Sequence, residues 1–202
     1  MQPPPPGAPP YPYPQPMGPP PPQRSGFPTW AIVLIVIGAC VLLFGGVMVV
    51  LAIYGVRKYV ANAKTAEARN SLGQIAKDAA EAYEREDLDP SGKLLTHRVC
   101  PSASKPVPLS LSAVSGVKYQ SMPSEWEVDS PTNAGFACLK FEMDEPQYYQ
   151  YWYAATPSSF TTEAHGDLNG DGAMSKFVLR GMVDSSGNLS VAPNIEETNP
   201  EE

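Results

Sequence analysis

Histidine is scarce in this chain, which has two in 202 residues, His97 and His165. Neither lies in a sequence context typical of a catalytic triad or of a zinc site. Ser102 and Ser104 also lack the Gly-x-Ser-x-Gly context of a hydrolase nucleophile. We therefore predict that the protein is not an enzyme.

Basic residues are scarce in the C-terminal part of the chain. From Asp87 onward there are seven Lys and Arg residues against 16 Asp and Glu residues. Nucleic-acid binding depends on neutralising phosphates with Lys and Arg, so this composition excludes nucleic acid as a partner. The excess of carboxylates fits an exported soluble domain instead, including one that holds a cation.

Charge is absent from Trp30 to Tyr54, a run of 25 residues. A helix of about 20 consecutive apolar residues is long enough to cross a bilayer. We therefore predict a transmembrane helix over residues 29–55, with the membrane as a partner of the chain.

Proline is concentrated at the start of the chain, where residues 1–28 contain 14 of the 24 prolines. A segment of this composition cannot bury a core, so we predict a disordered tail with polyproline-II character over residues 1–28. Such a tail acts as a spacer or as a ligand for a proline-recognition domain, and the sequence leaves both alternatives open.

Small residues recur every seven positions inside the uncharged run, at Ala31, Gly38, Gly45 and Ala52. Positions seven apart drift by only about 20° around a helix, so these residues form a nearly straight line, the small-residue stripe. Small side chains let two helix backbones approach closely in lipid. The stripe predicts packing against another copy of the chain or against a related subunit.

The helical pattern continues past the membrane segment, over residues 56–87, as an amphipathic continuation. Its apolar residues recur at the spacing of one helix face: Leu72, Ile75, Ala76, Ala79 and Tyr83. Asp89, Pro90 and Gly92 then end the helix. We predict that a sheet packs on this face.

Residues 88–193 carry the pattern of a small head with short strands. Strands are predicted at 117–120, 126–129, 136–143, 148–155, 177–183 and 189–191, with a hairpin turn at 144–147 between the third and the fourth. The fold class is therefore α+β, with a long N-terminal helix packed on a small antiparallel sheet. Residues 194–202 are predicted to form an acidic tail.

Two cysteines of the head, Cys100 and Cys138, lie 38 positions apart. If the head is exported, we expect them to form a disulfide, because disulfides persist in oxidising compartments. Two reduced thiols in a cytoplasmic head are the alternative. Cys40 lies inside the membrane segment, where we expect it to serve in packing.

A calcium-loop pattern, Asp-x-Asn-x-Asp-Gly, occupies residues 167–172. Carboxylate, amide and carbonyl oxygens at alternating positions of a tight turn are ligands that Ca²⁺ prefers. The candidate ligands are Asp167, Asn169, Asp171 and the carbonyl of Ala173. We predict Ca²⁺ as a cofactor of this loop.

The twelfth position of the calcium loop holds Val178, where an EF-hand has a bidentate glutamate. Glu163, Asp184 or water would have to complete the coordination shell. A metal-free Gly/Asx-rich surface turn is the alternative. A further alternative is a solute or calcium sensor that binds ligand on the aromatic strand 148–153.

Several of these segments resemble type IV pilins and type II secretion pseudopilins. The stretch 66–75 is similar to the part of the pilin helix that follows its membrane half, and the cysteine pair and the Asp/Asn/Gly loop resemble features of pilin heads. Gly26 and Phe27, preceded by Arg24, resemble the processing site at which a prepilin peptidase cuts. The resemblance implies a pilin-like fold and a structural subunit that assembles through its hydrophobic helix.

The sequence departs from the family at Pro28 and at Ala31, which stands at the fifth mature position, where the family has Glu. A permanently membrane-anchored, unprocessed scaffold or adaptor with a pilin fold is therefore the alternative function.

The basic residues Arg57, Lys58 and Lys64 after the span would place the head in the cytoplasm by the positive-inside rule. The cysteine pair and the acidic loop favour the opposite orientation. We predict a single-pass inner (cytoplasmic) membrane protein with a cytoplasmic tail and a periplasmic or extracellular head.

Overall fold

The computed structural model describes residues 28–88, 91–92 and 94–202, together with Gly7, Gly18 and Gly26. The predicted tail lies almost entirely outside the described residues, and so does Phe27 of the processing site. The chain divides into two compact units, residues 1–49 and residues 50–202.

One helix, α1, runs from Thr29 to Glu84 and is 56 residues long. It begins directly after Pro28, whose carbonyl accepts a hydrogen bond from the Ala31 amide at 2.8 Å. Residues 30–84 contain no proline, which explains why the helix is not interrupted. The segments predicted over 29–55 and 56–87 are thus one helix, and its end agrees with the predicted end to within three residues.

The second unit is built around a five-stranded antiparallel sheet. Its strands are β3 (Gln150–Thr156), β4 (Ser159–Gly166), β5 (Ser175–Val183), β6 (Leu189–Val191) and β7 (Glu196–Thr198). The order is β3-β4-β5-β6, and β7 also pairs with β5. The register places Tyr153 opposite Thr162 and Thr162 opposite Leu179, so alternate residues of three strands share one face.

This shared face and α1 enclose the core of the second unit. The five residues of the predicted apolar helix face are all buried, which confirms that prediction. They belong to one cluster with inward residues of the sheet: Tyr151, Tyr153, Phe160, Ala164, Phe177 and Leu179. The α+β class is therefore confirmed.

Short elements connect α1 to the sheet. They are β1 (Asp87–Leu88), β2 (Leu94–Leu95), a 3-10 turn (Leu111–Val114), α2 (Pro123–Trp126), a second 3-10 turn (Ser130–Thr132) and α3 (Gly135–Leu139). The first two strands pair with each other in antiparallel fashion.

The strands predicted at 126–129 and 136–143 are wrong, because these residues belong to or follow α2 and α3. Their aromatic residues form a cluster, with the Trp126 ring 5.0 Å from that of Phe136 and 5.3 Å from that of Phe141. Lys140 has φ +61° and ends α3, since its amide donates back to Phe136 and Ala137. The apolar spacing arises from this compact cluster and not from the alternation of a strand.

The hairpin predicted at 144–147 is also wrong, because the strand that it would connect to β3 does not form at residues 136–143. Strand β3 instead pairs with β4 through a turn at residues 157–158, and β4 was not predicted. Its inward positions include Thr162, which is fully buried and donates its hydroxyl to the Trp152 carbonyl at 3.2 Å. The predicted strand at 117–120 is reduced to a bridge between Tyr119 and Gln147.

The predicted strands at 148–155, 177–183 and 189–191 correspond to β3, β5 and β6. The predicted acidic tail, in contrast, contributes β7. Glu196 and Glu197 of this strand pair in register with Val178 and Phe177 of β5. The Glu197 carboxylate also forms a two-pronged ion pair with Arg69 of α1, at 2.7 and 2.8 Å.

Candidate functional site

The apolar part of α1 is exposed among the described residues of the first unit. Side chains from Trp30 to Val49 are exposed almost throughout, with Leu42 78 % and Phe44 74 % accessible. By length and composition, α1 is able to cross a membrane. In water, an apolar surface of this extent marks a site that lipid or another protein covers.

The small-residue stripe lies on α1, with its first three members inside this exposed surface and Ala52 just after it. Gly38, Gly45 and Ala52 are exposed, and Ala31 is half-buried. A Cβ atom added at Gly38 or Gly45 would meet no atom within 4 Å outside its own turn of helix. In the part of the chain that the structure describes, no side chain covers the stripe at these two glycines, which leaves room there for a second helix.

The calcium-loop residues lie directly after β4. Asp167 is 1 % exposed, and its carboxylate accepts three hydrogen bonds. Its Oδ2 accepts from the Ser115 hydroxyl at 2.6 Å and from the Gly172 amide at 3.1 Å, and its Oδ1 accepts from the Gly170 amide at 2.7 Å. Chiefly the Ser115 hydrogen bond, and then the amides, lower the pKa of Asp167.

The other predicted calcium ligands are engaged in the same way. Asn169 Oδ1 accepts from the Asp171 amide at 2.9 Å, and Asp171 Oδ1 accepts from the Ala173 amide at 2.8 Å. The Asn169 side-chain amide donates to Asp171 at 3.0 Å and to Glu202 at 2.9 Å, so an uncharged donor stands between two carboxylates.

The side chains suggested to complete the calcium shell lie in other contacts. Within the described ranges, no group of three His, Cys, Asp or Glu side chains is placed to hold a metal ion. Glu163, suggested to complete the shell, instead contacts Lys176 at 3.0 Å and His165 at 2.8 Å. Asp184 accepts from the Ser186 and Asn188 amides in the β5–β6 turn. Calcium binding therefore stays a prediction from the sequence.

Asp167→Asn is expected to destabilise the second unit by about 1.5–3 kcal/mol at pH 7, the range for hydrogen bonds to a charged group. Because the folded-state pKa of Asp167 is lowered, its contribution is present above the unfolded pKa and is lost as pH falls through the folded pKa. The difference in the free energy of unfolding between the variant and wild type should therefore become smaller below about pH 4. Denaturant unfolding of the full chain in detergent micelles measures it.

The matched control is Asp144→Asn, which removes the charge of an exposed aspartate and should change stability by less than about 0.5 kcal/mol. Equal effects of the two substitutions at pH 7 would contradict the role given to Asp167.

Glu67 is a carboxylate between α1 and the sheet that the sequence reasoning missed. Its Oε1 accepts from the Tyr148 amide at 2.7 Å and lies 3.4 Å from the Tyr151 hydroxyl. Burial raises the pKa of Glu67, against the opposing effects of these donors and of Lys118. The signal available in the sequence was a lone acidic residue between the buried positions Thr65 and Ala68 of the helix face.

Glu67→Gln is expected to leave the second unit at least as stable as wild type at pH 7, with a gain of no more than about 1 kcal/mol. A raised folded-state pKa contributes stability that is complete below the unfolded pKa and is lost as pH rises through the folded pKa. Glutamine keeps the acceptor for Tyr148 without the charge, so any gain should vanish near pH 4. Thermal unfolding followed at pH 4 and pH 7 measures both points.

The comparison variant is Glu67→Ala, which leaves the Tyr148 amide without its acceptor. We expect a loss of about 1–3 kcal/mol at both pH values. If the glutamine variant loses as much stability as the alanine variant, the role of Glu67 as the acceptor for the Tyr148 amide is wrong.

The predicted disulfide between Cys100 and Cys138 is present and joins the segment before the first 3-10 turn to α3. Both cysteines are 2 % exposed. Cys40 is a free cysteine exposed on the apolar part of α1. Of the processing residues, Gly26 is described and exposed, and Phe27 is not described.

The residues considered for catalysis are used in structural contacts. His97 Nε2 lies 3.5 Å from Glu84, and its ring packs edge-on against Tyr83. The Ser102 hydroxyl accepts from the Ala155 amide at 2.8 Å. In the aromatic strand, Tyr149, Tyr151 and Tyr153 are fully buried in the core, so these rings do not form an open ligand platform. That the protein is not an enzyme stays a prediction.

No protein-family model, no curated protein and no solved structure matches the chain. The class that the fold itself defines is an α+β protein whose N-terminal helix contains a segment of membrane-spanning length.

Proposed function

We propose that the protein is a pilin-like structural subunit of a type IV pilus or a type II secretion pseudopilus, assembled through its hydrophobic helix. The observation that carries the proposal is the exposed apolar surface of α1 from Trp30 to Val49. In a membrane this surface contacts lipid, and in an assembly it contacts the same surface of neighbouring copies. The small-residue stripe on it is the part suited to close helix packing.

The second unit supports the proposal in a different way. One face of its α1 segment is buried under an antiparallel sheet, which agrees with the pilin-like architecture that the sequence resemblance implies. Its disulfide is typical of an oxidising compartment. We therefore place the head outside the inner membrane and the proline-rich tail in the cytoplasm, against the positive-inside tendency of Arg57, Lys58 and Lys64.

The second candidate is a permanently membrane-anchored scaffold with the same fold, in which the tail binds a proline-recognition domain. The departures at Pro28 and Ala31 favour it, since processing and charge pairing in the family depend on the residues around that site. The two candidates share the membrane helix and the head, and they differ in the fate of residues 1–26.

The mass of the N-terminus of the chain purified from its native membranes distinguishes the candidates. A mature chain that begins at Phe27 is the expected result for an assembling subunit. Gly26→Ala should then block the cleavage, whereas Gly18→Ala, a matched glycine substitution in the tail, should not. An intact chain beginning at Met1 in all three proteins contradicts the subunit and supports the anchored scaffold.

A further inference from the structure

A groove of about 780 Å³ opens beside α1 directly after the uncharged run ends at Tyr54. All of its lining belongs to the second unit. One wall is the α1 segment 54–64, and the other is the loop after β4 with the last residues of the described chain, Leu168, Asn169, Glu201 and Glu202.

The groove carries both signs of charge. On the helix wall are Arg57, Lys58 and Lys64, and on the opposite wall are Glu201 and Glu202. Lys58 Nζ lies 3.4 Å from the Glu201 carboxylate, a pair in which both side chains are about half exposed, at 50 % and 53 %. The two walls therefore approach within ion-pair distance, and the half-exposed Lys58 and Glu201 stay accessible to a ligand. Lys64 Nζ also donates to the Leu168 carbonyl at 3.1 Å, and Glu202 accepts from the Asn169 side-chain amide at 2.9 Å, so a ligand would use the remaining N–H groups and oxygens of these two side chains.

The helix wall is also apolar between its basic residues. Tyr54 is 64 % exposed, Val56 is 63 % exposed and Val60 is 44 % exposed. Tyrosine at the end of an apolar span is typical of the membrane–water interface, and Lys and Arg side chains there reach toward head groups. A ligand that suits this wall has an apolar part next to a phosphate.

We propose that the groove binds a phospholipid whose head group carries both a phosphate and a primary ammonium, as phosphatidylethanolamine does. The phosphate pairs with Arg57 and Lys64, and the ammonium donates to Glu201 and Glu202. The acyl chains lie along Tyr54, Val56 and Val60 of the helix wall. This inference rests on the proposed insertion of α1 in the membrane.

Charge complementarity favours phosphatidylethanolamine over phospholipids with a choline or a glycerol head group. A choline head group carries a positive charge but has no N–H to donate, so it cannot form charge-assisted hydrogen bonds with the two carboxylates. A glycerol head group leaves the phosphate charge uncompensated and brings it toward those carboxylates. The ligand needs both a negative and a positive group because both basic and acidic side chains line the groove.

Native mass spectrometry of the full chain in detergent, titrated with single lipids, tests the proposal. We expect phosphatidylethanolamine to bind about tenfold more tightly than phosphatidylcholine or phosphatidylglycerol, which corresponds to one charge-assisted hydrogen bond. Glu201→Gln combined with Glu202→Gln should reduce phosphatidylethanolamine to the level of phosphatidylcholine. Arg57→Gln should weaken the binding of both lipids.

The matched control is Glu142→Gln combined with Glu145→Gln, two exposed carboxylates outside the groove, which should leave the preference unchanged. The proposal is overturned by equal binding of phosphatidylethanolamine and phosphatidylcholine, by tighter binding of phosphatidylglycerol, or by a preference that survives the Glu201/Glu202 substitutions. Resistance of the chain to carbonate extraction from vesicles is measured in parallel. Extraction would overturn membrane insertion and this proposal together, whereas an inserted chain without lipid preference overturns this proposal alone.

Discussion

Leu72→Ala is expected to destabilise the second unit by about 2–5 kcal/mol, the range for removing a large aliphatic side chain from a packed core. Leu72 is fully buried and lies at the centre of the α1 face that the sheet covers. The loss combines the transfer free energy of the removed carbon atoms with the cavity that remains. Because a domain of this size is stable by only about 5–15 kcal/mol, a substantial fraction of its stability should be lost.

Denaturant unfolding of the full chain in detergent micelles measures this loss. The control is Leu109→Ala, since Leu109 is 66 % exposed and its truncation should cost less than about 0.5 kcal/mol. If Leu72→Ala costs no more than Leu109→Ala, the sheet does not pack on α1 as described.

Replacement of both head cysteines by serine is expected to cost about 4 kcal/mol. The disulfide closes a loop of 38 residues, and in the chain-entropy model a loop of that length restricts the unfolded state by this amount. The closed segment contains α2 and α3, whose aromatic cluster borders the sheet. Cys100→Ser with Cys138→Ser should therefore lower the unfolding midpoint strongly.

Two comparisons make this result specific. Cys40→Ser, which changes a free cysteine on the apolar part of α1, should leave the unfolding of the second unit unchanged. Reduction of the wild-type chain with dithiothreitol should reproduce the effect of the double substitution. An unfolding midpoint that is insensitive to both treatments would show that the disulfide does not stabilise the head.

Features with a strong periodic signal were predictable from the sequence. The uncharged run and the Leu72/Ile75/Tyr83 spacing predict α1 and its buried face, because helix periodicity depends on residues close in sequence. The strands β3, β5 and β6 follow from apolar segments between turn residues. The disulfide followed from the compartment expected for an exported head.

The remaining features depend on contacts between residues distant in sequence. Trp126 and Phe136 have the local preference of strand residues, but in the structure they pack with each other and with Phe141 in the aromatic cluster of α2 and α3. Thr162 of β4 is a polar residue in a buried position, which the sequence pattern does not indicate. The acidic residue Glu197 joins the sheet opposite Phe177, and its side chain pairs with Arg69 of α1. Such tertiary contacts override local preference, and a single sequence does not display them.

In the candidate site, too, local features were predictable from the sequence and contacts between distant residues were not. The positions of Asp167, Asn169 and Asp171 in a tight loop follow from the Gly-rich pattern, but their partners do not. The Ser115 hydroxyl, from a segment 52 residues earlier, donates to the Asp167 carboxylate. Glu67 was missed because its partner, the Tyr148 amide, lies 81 residues away.

Cysteine cross-linking in native membranes tests most directly whether copies of the chain pack through the small-residue stripe of α1. Gly45 lies on the stripe, whereas the native Cys40 lies two residues past Gly38 and so about 200° around the helix from it. We predict that Gly45→Cys, in a chain that also carries Cys40→Ala, forms disulfide-linked dimers on mild oxidation, and that wild type with its native Cys40 does not. Absence of dimers from the Gly45→Cys chain, or equal dimer yield from wild type, would contradict the account.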